Sequence, residues 1–131
     1  MITLDTSALF ALLNRKDPDH GRGRTLLLSD PGPYLVPMGI LAEIAYLVEK
    51  RLGLRALEAF FQDLEARAFS LECGEEDLPR VRELVARYQD LPLGFADAAV
   101  IAVAERSGGL VLRLDRHFHV VAQEGTLRVL P

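Results

Sequence analysis

The chain has 131 residues, half of them hydrophobic and 26% charged, the size and composition of one globular domain spanning 1–131 with its own buried core. Its longest unbroken apolar run, Ala98 to Ala104, is far shorter than the roughly 18 residues that argue for a membrane span. The early basic residues follow the amino-terminal apolar stretch, the reverse of a secretory leader, so a soluble protein without a membrane role is expected. Cys73 is the single cysteine, which excludes an internal disulfide and a cysteine-based zinc site and points to the cytoplasm, while a net charge of −4 excludes a domain that is basic throughout.

In chain order, the opening MITL reads as a short strand ending at Asp5, and Ser7 to Asn14 as a helix with apolar Leu9, Leu12 and Leu13. The segment DPDHGRG offers Asp17 or Asp19 as the cap of a second helix over Arg22 to Ser29, which Gly21 and Gly23 weaken. After the Pro31-Gly32-Pro33 breaker, Tyr34 to Val36 reads as a strand and Met38 to Leu52 as a long helix that Gly53 ends. Leu54 to Ala66 reads as a helix, Ala68 to Glu72 as a strand and Glu75 to Tyr88 as a helix. The loop DLPLG then precedes a nearly all-apolar helix over Phe95 to Ser107. Leu110 to Leu114 reads as a strand, a turn follows around His117, and Leu127 to Leu130 closes the chain as a short strand. Strands alternating with helices throughout predict an α/β fold with a mostly parallel sheet and helices on both faces.

Ligands of an open parallel sheet gather at the carboxyl ends of its strands, and Asp5 and Asp115 each sit where a predicted strand ends. Either one alone reads equally as a helix cap. Asp97 is the one polar side chain between Phe95 and Ala104, so it belongs in or beside the core, as a site residue or as a first-turn acid facing the helix dipole. In the helix after the second strand, Ile40, Ile44, Leu47 and Val48 form the core stripe, and Glu43 falls on its margin. Taken together, four carboxylates without cysteine or histidine are the donor set that hard cations such as Mg²⁺ or Mn²⁺ prefer, and the chemistry such a site supports is phosphodiester hydrolysis.

These segments resemble PIN-domain ribonucleases, and most closely the VapC-like toxins of toxin–antitoxin pairs: the opening LDTSALFALL, the helix ILAEIAYLVEKR, the segment GFADAAVIAVAE and the late VLRLDRHF. The resemblance covers essentially the whole chain. It implies a single PIN-like domain with a five-stranded parallel sheet, and Asp5, Glu43, Asp97 and Asp115 as catalytic, metal-binding acids. It also implies Thr6 or Ser7 as hydroxyls that hold Asp5. The implied function is a Mg²⁺- or Mn²⁺-dependent endoribonuclease, the toxin of a type II pair, with RNA as substrate, a cognate antitoxin as partner and a homodimer as assembly.

One position departs from the family pattern. Where relatives often carry Ser or Thr two residues before the fourth acid, this chain has Arg113, which either enters the site, pairing with Asp115 or with a substrate phosphate, or bends to solvent. If it enters, the second metal is in doubt, and the runner-up reading is a non-catalytic PIN-like binding or scaffold module with an impaired metal site. The pair His117 and His119 lacks the companions of a transition-metal site, and His20 is expected to support the start of the second helix. Arg15, Lys16, Arg22 and Arg24 offer a local basic rim that offsets the acidic net charge or else a solvated helix face. A receiver-type domain would need adjacent acids after the first strand and a late Lys, and a haloacid-dehalogenase-type phosphatase begins D-x-D; position 7 here is Ser, and neither pattern is present.

Overall fold

The computed structural model describes residues 1–90, 93–113, 125 and 127–130. Five strands, β1 (Ile2–Leu4), β2 (Tyr34–Pro37), β3 (Ser70–Glu72), β4 (Leu110–Leu112) and β5 (Arg128–Leu130), form one sheet in the order β3-β2-β1-β4-β5. All four described pairings are parallel, so the expected mostly parallel sheet is parallel throughout. The helices are α1 (Thr6–Leu13), α2 (His20–Leu28), α3 (Leu41–Leu52), α4 (Leu54–Glu65), α5 (Leu78–Arg87) and α6 (Phe95–Arg106), and they cover both faces of the sheet. This is the five-stranded parallel architecture that the sequence resemblance implies. Among the described residues no helix is long and apolar enough to cross a membrane.

The central strands are short and apolar on both sides: Ile2, Leu4, Val111 and Leu112 are fully buried, as parallel strands covered on both faces require. Helix α6 packs on β1, β2 and β4 and buries every residue from Ala98 to Ala104, which explains why that segment carries no amphipathic pattern. Of the stripe expected on α3, Ile40, Ile44 and Val48 are buried and Leu47 is half-buried. Gly53 ends α3 at φ 95°, a conformation open to glycine at little cost, and its backbone leads straight into α4.

Several boundaries differ from the sequence reading, each for a local reason. Met38–Ile40 and Glu75–Asp77 are 3₁₀ turns that lead into α3 and α5 and do not extend the helices themselves. Helix α2 begins at His20, two residues before the expected start, and Asp19 stands at its cap position without a side-chain cap bond; its carboxylate takes the Arg22 guanidinium at 2.9 Å instead. The Asp17 carboxylate accepts from the Asp19 N–H at 2.8 Å. His20 supports the helix start as expected, its Nδ1 lying 2.8 Å from the Ala11 carbonyl at the end of α1. The turn around His117 lies outside the described residues, as does His119.

Strand order fixes where a site can form. With β1 at the centre, the strands run outward through β2 and β3 on one side and through β4 and β5 on the other, so the order reverses between β1 and β4, the place where open parallel sheets bind their ligands, in the crevice at the carboxyl edge of the strands. The Asp5 N–H donates to the Leu112 carbonyl at 3.4 Å, and the Arg113 N–H to the Leu130 carbonyl at 3.1 Å. Leu4 lies opposite Leu112 in the ladder, which sets Asp5 and Arg113 as neighbours at that edge.

Candidate active site

Three acids reach this crevice from the starts of three helices. Asp5 is the N-cap of α1, Glu43 lies in the first turn of α3 and Asp97 in the first turn of α6. All three line one cavity of about 260 Å³, together with Thr6, Ser7, Phe10, Leu47 and Arg113. The positive ends of the helix dipoles lie at these starts and favour negative charge on the three acids.

Asp5 is the most constrained of the three. Only 3% of the residue is exposed, and its Oδ1 accepts the Ala8 N–H at 2.9 Å, the cap bond of α1. The Ser7 hydroxyl donates to the same carboxylate, 2.9 Å from Oδ1 and 3.1 Å from Oδ2. Of the two hydroxyls expected to hold Asp5, Ser7 therefore makes the contact; Thr6 lines the cavity. Burial pushes the Asp5 carboxyl up to about 6, against the opposing pull of Arg113, the Ala8 N–H and the Ser7 hydroxyl, and the nearby Asp97 charge adds to the rise. Burial thus takes more from the ionised carboxylate than its partners return.

Arg113 is buried, with 5% of its surface exposed, so its guanidinium does not bend to solvent. It lies across the cavity between two acids: Nη1 donates to Asp97 Oδ1 at 3.0 Å, and Nε approaches Asp5 Oδ2 at 3.3 Å. Strand alternation accounts for the meeting, because Thr3 lies opposite Val111 and two residues further along each chain Asp5 and Arg113 return to the same side. Asp97 is half-buried at the wall of the cavity, and Glu43 is exposed at its rim. The fourth acid expected here, Asp115, lies outside the described residues, as does any contact between it and Arg113.

Of two apolar wall residues, Phe10 escaped sequence reasoning and Leu47 was read as part of the core stripe of α3, not as wall. A helical-wheel signal for both was present, since Phe10 follows Ser7 by three positions on α1 and Leu47 follows Glu43 by four on α3, spacings that place each beside its polar neighbour.

The donor set suits a hard divalent cation: oxygens from Asp5, Glu43 and Asp97, no sulfur, and in Asp5 a carboxylate that burial has stripped of water. Among the described residues no three acids, histidines or cysteines converge closely enough to form a ready-made metal cluster; the guanidinium of Arg113 spans two of the three carboxylates.

The PIN-domain family model matches residues 2–124. Ribonuclease VapC26 of Mycobacterium tuberculosis is 34% identical over 125 residues, covering 93% of each chain. The 23S rRNA-specific endonuclease VapC20 of the same organism is 30% identical over 109 residues, 82% of this chain and 83% of that one. The crystal structure of M. tuberculosis VapC20, described as a Sarcin-Ricin loop cleaving toxin, matches with a TM-score of 0.78 and 26% identity over 92% of this chain and 95% of that chain.

Proposed function

This chain belongs to the PIN-domain family, and from that premise we propose that it is a Mg²⁺- or Mn²⁺-dependent endoribonuclease, the toxin of a type II toxin–antitoxin pair. The observation that carries the reading is the convergence of Asp5, Glu43 and Asp97 on one cavity at the carboxyl edge of the sheet. The names of the relatives, a ribonuclease and an endonuclease specific for 23S rRNA, support RNA as the substrate. A cognate antitoxin, a homodimer and a cytoplasmic setting complete the proposal by family resemblance.

In this reading Asp5, Glu43 and Asp97 hold the ion, with Asp115 as the fourth acid on the strength of the sequence resemblance. A cation bound there supplies Lewis acidity for water activation and for the charge that develops on a phosphodiester. The chain's own groups set the geometry. Ser7 and the Ala8 N–H fix the rotation of the Asp5 carboxylate so that its remaining lone pairs face the cavity. Asp97 is presented by α6, a helix locked by its buried face, and Glu43 stands at the open side, where RNA and solvent arrive. Phe10 and Leu47 supply apolar wall and limit water around the reacting groups.

The test is cleavage of loop-containing RNA by purified protein, with and without chelator. Activity is expected with Mg²⁺ or Mn²⁺ and none after chelation. Asp97→Asn keeps shape but removes the charge, and should lower the rate by about a hundredfold or more while leaving the unfolding transition cooperative. Equal cleavage by wild type and Asp97→Asn would sink the mechanism. The Arg113 bridge favours a second reading, a binding module with an impaired metal site; absence of Mn²⁺ binding in calorimetry, with RNA binding retained, would select it.

A further inference from the structure

We propose that Arg113 is a built-in substitute for the divalent cation: in the metal-free protein its guanidinium clamps Asp5 to Asp97, and metal loading requires that clamp to open. The inference rests on the reading of Asp5 and Asp97 as metal ligands and adds a control that the reading does not contain.

Three observations carry it. First, the oxygens Arg113 engages, Asp5 Oδ2 and Asp97 Oδ1, belong to the carboxylates that line the cavity, and the guanidinium lines it with them. A metal drawing on the same oxygens would lie against a permanent positive charge, so the two cations exchange in place of coexisting. Second, Arg113 comes from β4 and its partners from the start of α1 and from α6. The clamp therefore ties together three elements and bridges the two acids, Asp5 and Asp97, that would otherwise repel one another at short range. Third, the other bonds to Asp5, from Ser7 and Ala8, are internal to α1 and its cap and do not reach α6. Arg113 alone among the described side chains that line the cavity brings a positive charge into it.

The consequence is an affinity penalty. If metal binds only the fraction of molecules in which the guanidinium has withdrawn, the apparent affinity is reduced by that fraction. A long side chain with several rotatable bonds can withdraw without moving the sheet, so the site behaves as a latch that opens at sufficient metal.

The experiment compares wild type with Arg113→Thr in calorimetric Mn²⁺ titration at neutral pH, and in thermal unfolding with chelator and with saturating Mn²⁺. Arg113→Thr should bind Mn²⁺ on the order of tenfold more tightly, melt several degrees lower than wild type in chelator, and lose most of that deficit once Mn²⁺ saturates. Should Arg113→Thr fail to fold without metal, Arg113→Lys, which keeps the charge but spans two carboxylates poorly, takes its place with a smaller gain in affinity. Unchanged or weaker Mn²⁺ affinity in the variant overturns the latch and leaves the metal-dependent nuclease standing. A loss of RNA affinity without a change in Mn²⁺ affinity also overturns it, assigning Arg113 to substrate phosphate. No Mn²⁺ binding by either protein overturns latch and nuclease reading together.

Discussion

Asp5 does two jobs with one carboxylate: Oδ1 caps α1 through the Ala8 N–H, and Oδ2 faces Arg113. Cap and site residue looked like alternatives in the sequence, and they are compatible: Asp5 makes the cap bond and lines the cavity as well. The cost of this placement is visible in its ionisation. With the carboxyl raised from 3.8 to about 6, the folded chain binds more protons than the unfolded one between those values, so stability falls as pH rises through that window and levels off above it. The size of the fall is about 3 kcal/mol for a group this buried. Metal-free wild type should therefore lose melting temperature between about pH 4 and pH 6, and Asp5→Asn, which still caps a helix but does not ionise, should lack that fall whatever its absolute stability. Melting curves taken in chelator across the range decide the matter; parallel profiles for the two proteins would show that Asp5 is not the titrating group.

Between elements, the geometry of the site depends on how closely α3 approaches α6. Gly39, in the 3₁₀ turn that leads into α3, leaves so little room that a Cβ placed there would stand 2.7 Å from the Ala99 Cβ on α6. Neither atom belongs to a flexible side chain, so the helices would have to part, and Glu43 and Asp97 with them. Gly39→Ala should cost about 1–3 kcal/mol and weaken Mn²⁺ binding, while adding Ala99→Gly should restore a good part of both. A double-mutant cycle read by denaturant unfolding and calorimetry measures that coupling, and additive effects would separate the Gly39–Ala99 approach from the site. This approach was illegible in the sequence, where Gly39 is one small residue before an apolar helix; contact between Gly39 and Ala99, sixty positions apart, is set by tertiary packing. Periodicity, by contrast, revealed α3, and the nearly all-apolar run revealed α6 and singled out Asp97, because a polar side chain in an all-apolar helix has few reasons to be there. Glu43 had no such signal, being exposed at the margin of its stripe, and only the resemblance identified it. Arg113 was legible as an anomaly, yet its partners, Asp5 and Asp97, depended on strand order, which local pattern does not encode.

On the scale of the whole molecule, an acidic chain proposed to bind RNA needs its positive charge concentrated. The net charge is −4, and three of the four cations of α5 and α6 are spent internally: Arg80 forks onto Glu105 at 2.8 and 2.9 Å, Arg87 pairs with Glu83 at 2.8 Å, and Arg106 holds the buried Asp77 at 2.8 Å. The amino-terminal third is different. Arg15 and Arg24 are exposed and line, with His20, a groove of about 820 Å³ between α1, α2 and α4, whereas Arg22 is engaged by Asp19. Helix α1 runs from the cavity at Ser7 to the groove at Leu13, roughly 9 Å of helix, close enough for one RNA strand to reach both groove and candidate active site. If that rim supplies the attraction, RNA affinity should fall with salt according to the few phosphates it contacts, and not as steeply as for a domain basic all over. Measured on Asp97→Asn protein, which should bind without cutting, the slope of log affinity against log salt should become shallower by about 0.7 for each of Arg15→Ala and Arg24→Ala. Neither substitution should alter Mn²⁺ affinity, because both side chains stand outside the cavity that holds Asp5, Glu43 and Asp97. An unchanged slope in the doubly substituted protein would mean that RNA approaches over another face, and the groove would then have no part in overcoming the acidic charge.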